Sequence, residues 1–187
     1  NLLPSAVVDA HLIVALTLVA AMSGINQRLV VSSSTPSPLW WRLTAIFSML
    51  AVIGQSLIGS RMATTWAAQR CIHQGQSCYL LDLHRFTAIP VTFIVLTFVI
   101  FSLAIGGWSR SQWPLLLPVL LFVVLQVLLG ILSVYFSLHQ PLLTIVHQML
   151  AALLVAFLSA LTFKTPTLKP TKEMEVFQES SLEPCHG

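Results

Sequence analysis

The sequence predicts an all-α integral membrane protein with about five transmembrane helices, the last four forming an antiparallel four-helix bundle. The chain has 187 residues, of which 56% are hydrophobic and 8% charged, whereas soluble domains carry about 25% charged residues. Its mean hydropathy is +0.87. A soluble core of this size cannot hide so much apolar surface, so the surplus must face lipid.

Five apolar stretches account for these helices, since about 20 helical residues cross a hydrocarbon layer. They cover residues 12–25, 39–59, 81–105, 115–136 and 142–163. The first reaches a spanning length only if it extends back to Val7. The connection around His139 is very short, so the fourth and fifth helices are expected to be antiparallel neighbours.

The predicted organisation has four parts. Residues 1–30 hold the first helix, and residues 31–38 form a cytoplasmic loop rich in Ser, Thr and Pro. Residues 39–163 form the four-helix bundle, which includes a polar outer loop at 60–80. Residues 164–187 form a polar, proline-containing tail that is expected to be disordered.

Composition also excludes some functions. The net charge of +3 arises from few charged residues, and no basic run has interleaved aromatic residues, so nucleic acid is not an expected partner. No glycine-rich phosphate loop is present. No basic region precedes the first apolar stretch, so no cleavable signal peptide is recognised.

The distribution of basic residues predicts that the N-terminus lies outside and the tail lies in the cytoplasm or matrix. With this orientation, six basic residues fall on the inner side and three on the outer side, as the positive-inside rule requires. The inner six are Arg28, Arg42, Arg110, Lys164, Lys169 and Lys172, and the outer three are Arg61, Arg70 and Arg85.

The same orientation places two of the three cysteines in the outer loop. Cys71 and Cys78 would lie in a compartment where a disulfide persists, and closing a loop of that size is sterically ordinary. The alternative is a pair of free thiols. Cys185, in the tail, is expected to stay reduced.

Three of the six histidines, His11, His84 and His147, lie at similar depth near the outer ends of predicted helices. Ionisable side chains inside a bilayer are costly and usually mark function. Imidazole is a frequent haem ligand, and histidines on facing helices build such sites. His84 and His147 are therefore expected to clamp a haem between the third and fifth helices. The alternative is that each imidazole caps a helix or bonds to a neighbour.

Residues beside these histidines are consistent with a haem. Arg85 follows His84, where its guanidinium could pair with a propionate; otherwise it is an interfacial arginine with its charge in the headgroup region. Ala88, Ala151 and Ala152 lie one turn further in and leave room for a flat macrocycle, although small residues also serve ordinary helix packing.

An internal repeat relates the two halves of the bundle. The sequence Gln55-Ser-Leu-Ile-Gly59 in the second helix and Gln126-Val-Leu-Leu-Gly130 in the fourth both read Q-x-L-x-G. Each is followed by an outer loop and by a helix that begins with a histidine. The bundle is therefore predicted to be two copies of one hairpin. The first helix, with His11 followed four residues later by Ala15, is similar to the fifth.

These features resemble haem A synthase. The resemblance runs from about Val7 to Phe163 and rests on the Q-x-L-x-G motif of the fourth helix, on the sequence from Ile145 to Leu154 that includes His147-Gln148, on Leu83-His84-Arg85, and on the paired-cysteine loop. That family is built from two pseudo-symmetric four-helix bundles. The resemblance implies that residues 39–163 form the second bundle and that the first helix closes the first bundle.

The resemblance also implies an activity. The family oxidises the C8 methyl of haem O to the formyl group of haem A for cytochrome oxidase, in the bacterial plasma membrane or the mitochondrial inner membrane. His84 and His147 would ligate haem b, with Arg85 beside it, and His11 would be one of two ligands near the substrate haem. Haem O synthase and cytochrome oxidase assembly factors are the implied protein partners. The family's reactive carboxylate has no counterpart at the expected position, and Asp82 is not expected to be catalytic, so no catalytic residue is assigned.

Two other functions remain open from the sequence. The chain could be a membrane b-type cytochrome subunit that transfers electrons, for example from quinol. It could also be a non-enzymatic membrane assembly subunit in which the histidines are structural. A relay across the membrane is disfavoured, because no second histidine pair occurs near the inner ends of the last four helices.

Overall fold

The computed structural model describes residues 4–30, 37–65, 71, 78–136 and 141–164. The predicted loop at 31–38 lies largely outside the described residues, and Cys185, His139 and nearly all of the tail lie outside them entirely. The described helices are α1 (Ser5–Val30), α2 (Leu39–Thr64), α3 (Tyr79–Ile105), the short α4 (Gly107–Ser111), α5 (Trp113–Tyr135) and α6 (Pro141–Phe163).

The predicted fold class is confirmed. In the described part of the chain, all regular structure is helical, and five helices are long and apolar enough to cross a membrane. Helices satisfy their own backbone hydrogen bonds, which is the requirement for crossing lipid. These five are α1, α2, α3, α5 and α6.

Two helices are longer than the apolar pattern indicated. α1 spans 26 residues rather than the predicted 14, and α2 continues to Thr64 rather than ending at Gly59. The extra turn of α2 includes Arg61, whose Nε lies 2.9 Å from an oxygen of Asp9 in α1. The polar ends of both helices therefore support each other, a contact that apolar periodicity does not encode.

The turn between α3 and α5 is built around two glycines. Gly106 and Gly107 have φ angles of 81° and 57°, which glycine adopts at little steric cost. Arg110 folds back so that its Nε donates a hydrogen bond to the carbonyl of Leu103 at 2.8 Å. The last carbonyl groups of a helix have no partner within the helix, and the Arg110 guanidinium supplies one for Leu103.

The four helices α2, α3, α5 and α6 form a closed ring, because α2 packs on α3, α3 on α5, α5 on α6 and α6 on α2. Of these pairs, α3 and α5 touch least extensively. α1 lies outside the ring against α6 and α2. The predicted four-helix bundle with an additional first helix is therefore the observed arrangement.

α1 is attached to α6 through small and polar residues. The hydroxyl of Ser23 donates to the carbonyl of Ala156 at 2.7 Å, and the hydroxyl of Ser159 donates to the carbonyl of Ala20 at 2.6 Å. Gly24 lies so close to the ring of Phe163 that a Cβ at position 24 would overlap it. Small residues and interhelical hydrogen bonds are the usual means of helix association in lipid.

The apolar core occupies one half of the bundle. It is formed by residues 41–52 of α2, 95–99 of α3, 116–123 of α5 and 154–161 of α6, and Leu16 of α1 also belongs to it. Trp41 is fully buried, its Nε1 donates to the carbonyl of Leu161 at 2.7 Å, and its ring packs edge-on against Phe98 and Trp108. This half is filled by side chains, and the other half is not.

Candidate functional site

A cavity of about 720 Å³ occupies the half of the bundle opposite the core. It lies where α2 and α5 end and α3 and α6 begin, which we call the disulfide end because Cys71 and Cys78 are there. All four ring helices line it. Its wall is mainly apolar, and both His84 and His147 belong to it. The structure therefore brings together the two histidines that the sequence paired.

The imidazole of His84 is held by residues of α2 and α3. Nε2 of Gln55 lies 3.0 Å from Nδ1 of His84 and donates a second hydrogen bond to the His84 carbonyl at 2.7 Å. The single proton of the Thr87 hydroxyl has two acceptors, Oε1 of the same glutamine at 2.7 Å and the carbonyl of Leu83 at 2.8 Å. All the polar atoms of the Gln55 amide are thus engaged around one histidine.

The imidazole of His147 occupies the equivalent place on α6. Its Nε2 lies 3.3 Å from Nε2 of Gln126. Within the described residues, Nδ1 of His147 and Oε1 of Gln126 are buried and have no hydrogen-bond partner. His147 is therefore contacted by the counterpart of Gln55, but with fewer bonds.

The glycine of each repeated motif lies against the same histidine as the glutamine. A Cβ at position 59 would stand 3.1 Å from Cε1 of His84, and a Cβ at position 130 would stand 3.4 Å from Cε1 of His147. Glycine is the residue that lets a side chain approach a helix backbone this closely. The Q-x-L-x-G repeat is thus a repeated contact surface for an imidazole.

Half of the unsatisfied buried polar atoms of the described residues belong to this cavity. Eight buried side-chain atoms of the described residues lack a hydrogen-bond partner, and four of them belong to cavity-lining residues. These four are Ser60 Oγ, Gln126 Oε1, Ser133 Oγ and His147 Nδ1. Buried polar atoms are normally satisfied, so their grouping indicates a place where a ligand or water supplies the missing partners.

Some of the other predicted site residues line the cavity and some do not. Arg85, Ala88 and Ala151 line the cavity, whereas Ala152 packs against the apolar core. His11 is exposed on α1 and does not line the cavity. The role predicted for His11 stays a prediction.

Cys71 and Cys78 form the predicted disulfide. Cys71 and Cys78 are joined, with Cα atoms 5.0 Å apart, a separation typical of such bonds. Cys71 is buried. The bond joins Cys71 to the residue directly before α3, six residues before His84.

The cavity opens towards the lipid between α3 and α5. Ile89 and Phe93 on α3 and Ile131 on α5 line it and are also more than half exposed. These two helices form the least extensive contact of the ring. A ligand in the cavity would therefore have one apolar edge in contact with acyl chains.

Sequence reasoning missed the residues that bond to the histidines. The repeat had singled out Gln55 and Gln126, but only as a sign of duplication, and Thr87 was not considered. The Asp9–Arg61 pair was also missed, although a carboxylate at the start of one spanning helix and a guanidinium at the end of another is a recognisable signal.

No group of three or more His, Cys, Asp or Glu side chains among the described residues is arranged to hold a metal ion. A site formed by two histidines alone has too few side chains to count as such a group. No protein-family model, curated protein or solved structure matches this chain.

Proposed function

We propose that this chain is part of a haem A synthase, which oxidises the C8 methyl of haem O to the formyl group of haem A, and that its four-helix ring holds a bis-histidine haem b. One observation carries the proposal. His84 and His147 line a single cavity, and each imidazole lies against the glutamine and glycine of an equivalent motif.

The size and chemistry of the cavity suit such a ligand. Its volume of about 720 Å³ lies within the range of roughly 300–1,000 Å³ typical of cofactor-sized sites. The wall is apolar except for a few polar groups, and the unpartnered Nδ1 of His147 is a nitrogen available for a ligand. Nδ1 of His84 is bonded to Gln55, so iron would bind at Nε2, which would first have to release any proton it carries.

Polar groups near the disulfide end suit the carboxylates of the same ligand. Arg85 lines the cavity directly after His84, and the buried hydroxyls of Ser60 and Ser133 lack partners among the described residues. A guanidinium binds carboxylates bidentately, and hydroxyls donate to them. These three side chains would hold the propionates.

A haem bound here would supply one-electron chemistry. The chain's own residues would provide the two axial imidazoles, orient them through glutamine, and keep water away with the apolar wall. Occupation of both axial positions favours electron transfer over oxygen binding at that haem. The methyl oxidation would then occur at a separate site, near which His11 would be a ligand.

The proposal includes a location and partners. The chain would lie in the bacterial plasma membrane or the mitochondrial inner membrane, with its N-terminus outside and its tail in the cytoplasm or matrix. Haem O synthase would supply the substrate, and cytochrome oxidase assembly factors would receive the product.

Reduced-minus-oxidised spectra of the purified protein test the haem site. We expect a b-type spectrum in the wild type, and its loss in His84→Ala and in His147→Ala. Gln27→Ala, on α1 and away from the cavity, should keep the spectrum. An unchanged spectrum in either histidine variant would exclude the clamp.

Pigments extracted from cells that lack the protein test the reaction. Haem O should accumulate and haem A should disappear. Normal haem A would end the synthase proposal, and if the purified protein still showed a b-type spectrum, it would be an electron-transfer subunit instead.

A further inference from the structure

We propose that Asp9 and Arg61 form a binding site for a phospholipid whose headgroup carries a primary ammonium group, of which phosphatidylethanolamine is the simplest. The Arg61 guanidinium would bind the phosphate, and the Asp9 carboxylate would accept a hydrogen bond from the ammonium. The site is separate from the cavity that holds the two histidines, and the inference does not depend on the proposed function.

The two side chains form the only ion pair in the described part of the chain. Nε of Arg61 lies 2.9 Å from Oδ2 of Asp9. Asp9 is near the start of α1 and Arg61 is in the last turn of α2, so the pair lies at the disulfide end. The ends of spanning helices lie where the hydrocarbon layer gives way to lipid headgroups. A headgroup can therefore reach this pair.

A second, smaller cavity lies beside the ion pair, between α1 and α2. Its volume is about 250 Å³, and its lining combines the two charged side chains with three apolar ones, Ile13, Leu57 and Ile58. Ile13 is exposed, and the other two are half-buried. None of these five residues lines the larger cavity. A charged end and an apolar wall that faces the acyl chains suit an amphiphile.

The carboxylate of Asp9 lacks a hydrogen-bond donor. Its Oδ2 is bonded to Arg61, whereas its Oδ1 is buried and has no partner among the described residues. Asp9 is also the only buried acidic side chain among them. A buried charged group without its hydrogen bonds is costly. Because an ionised carboxylate can only accept, the missing partner must bring an N–H or O–H group.

The guanidinium of Arg61 has donors that the protein does not use. Within the described residues, only its Nε is bonded, and 68% of its side chain is exposed. Arginine binds phosphate groups through two parallel N–H donors. At this depth in the membrane, the phosphates of the surrounding lipids are the nearest anions of that kind.

The pattern of charge distinguishes among headgroups. Phosphatidylethanolamine carries a phosphate and an ammonium on a two-carbon linker, so each of its charges meets an opposite charge of the ion pair. The trimethylated ammonium of phosphatidylcholine has no N–H to donate to Asp9. Phosphatidylglycerol offers hydroxyls but no cation, which leaves the carboxylate charge unmatched. The first headgroup therefore matches both residues, and the other two do not.

Native mass spectrometry measures this selectivity. The full-length protein would be released from nanodiscs that contain equal amounts of phosphatidylethanolamine, phosphatidylcholine and phosphatidylglycerol with identical acyl chains. We expect phosphatidylethanolamine to be retained about tenfold more than phosphatidylcholine, because one hydrogen bond to a charged acceptor separates them. Equal retention of these two lipids, or stronger retention of phosphatidylglycerol, would overturn the proposal.

Two matched variants show whether Asp9 causes the preference. Asp9→Asn keeps the shape of the side chain and removes its charge, so phosphatidylethanolamine should lose its advantage over phosphatidylcholine. Asp82→Asn is the control, because Asp82 is an exposed carboxylate at the same end of the molecule and lines neither cavity. It should keep the wild-type preference. If Asp9→Asn also keeps that preference, the site is wrongly assigned.

A lipid series on the wild type gives an answer even if Asp9→Asn does not fold. Phosphatidylethanolamine with two N-methyl groups still has one N–H, so it should be retained more than phosphatidylcholine. A lipid that binds the folded state also stabilises it, so the unfolding midpoint should be higher in phosphatidylethanolamine nanodiscs than in phosphatidylcholine ones. Equal retention of the dimethylated and trimethylated lipids, or equal midpoints, would exclude the hydrogen bond to Asp9.

Discussion

Two glycines on the same helix have opposite surroundings. A Cβ at position 54 would meet no atom within 4 Å, whereas a Cβ at position 59 would stand 3.1 Å from Cε1 of His84. Gly59 therefore affects the site, because it leaves room for the His84 imidazole. Gly54 affects only the helix propensity of α2. This difference separates the effect of the site from the effect of helix propensity.

The pair predicts different outcomes for the same substitution. Gly54→Ala should stabilise the protein by about 0.5–1 kcal/mol, the usual gain in a helix interior. Gly59→Ala should lose that gain and weaken haem binding, because the imidazole must move by a few tenths of an ångström. Gly130→Ala, with its Cβ at 3.4 Å from the ring, should fall between them.

Thermal unfolding and haem titration of the three variants measure these effects. Gly54→Ala is the matched control, since it changes the same residue type on the same helix. Equal unfolding midpoints and equal haem affinities for Gly54→Ala and Gly59→Ala would show that the His84 contact has no influence.

At the scale of the helices, α1 is held to the bundle along its whole length. Near its start, Asp9 pairs with Arg61 of α2, and near its end, Ser23 and Gly24 contact α6. Interhelical hydrogen bonds in membranes contribute only about 0.6 kcal/mol each. We therefore expect helix packing at Gly24 and the Asp9–Arg61 pair to contribute more to the attachment of α1 than the two serine hydrogen bonds.

Gly24→Ala is expected to loosen α1. The added methyl overlaps the ring of Phe163, and such overpacking costs about 1–3 kcal/mol. In a Phe163→Ala background most of this cost should disappear, because the ring is gone and only the Ser159 hydroxyl, 3.2 Å from the added Cβ, remains close. A double-mutant cycle of unfolding free energies in detergent measures this, and additive effects of the two substitutions would contradict the contact.

Arg61→Ala should destabilise the protein more than Asp9→Asn does. Asp9 is 8% exposed, and one of its oxygens already lacks a partner among the described residues, so loss of the guanidinium leaves a charge in an apolar setting. A hydrogen bond to a charged group is worth about 1.5–3 kcal/mol, and the exposure of Arg61 puts the effect at the lower end.

Unfolding free energies of the two single variants and of the double variant test this. Asp9→Asn removes the buried charge, so it should restore most of the stability lost in Arg61→Ala. If the double variant is as unstable as the sum of the two losses, the carboxylate does not depend on this partner.

At the scale of the whole molecule, the sequence allowed the five spans, the ring of four helices and the His84–His147 pairing to be predicted. Lipid forces apolar segments to be helices, and a duplicated motif before each histidine-bearing helix makes the hairpins equivalent. The Asp9–Arg61 pair was missed although its two charges are visible in the sequence. The contacts of Thr87 could not be predicted, because they depend on how helices are rotated about their axes, which all-round apolar sequences do not encode.

The three cysteines allow the membrane orientation to be tested. We expect Cys71 and Cys78 to react with a membrane-impermeant thiol reagent from outside only after reduction, because they form a disulfide. Cys185, in the tail, should react only once the membrane is permeabilised. Spheroplasts or mitoplasts bearing the wild type, with Cys185→Ser as control, provide the measurement. Labelling of Cys185 in intact membranes would reverse the proposed orientation.

The division of the bundle into a filled half and a hollow half has a consequence for biogenesis. The half around Trp41 is packed with apolar side chains, so its burial of apolar surface does not depend on a ligand. The half around the two histidines contains the cavity, and a ligand bound there would stabilise the folded state according to its concentration and affinity. In the ligand-free protein, the packed half would be stable and the half that contains the cavity would open more easily. A membrane protease could then cleave ligand-free molecules selectively at that half.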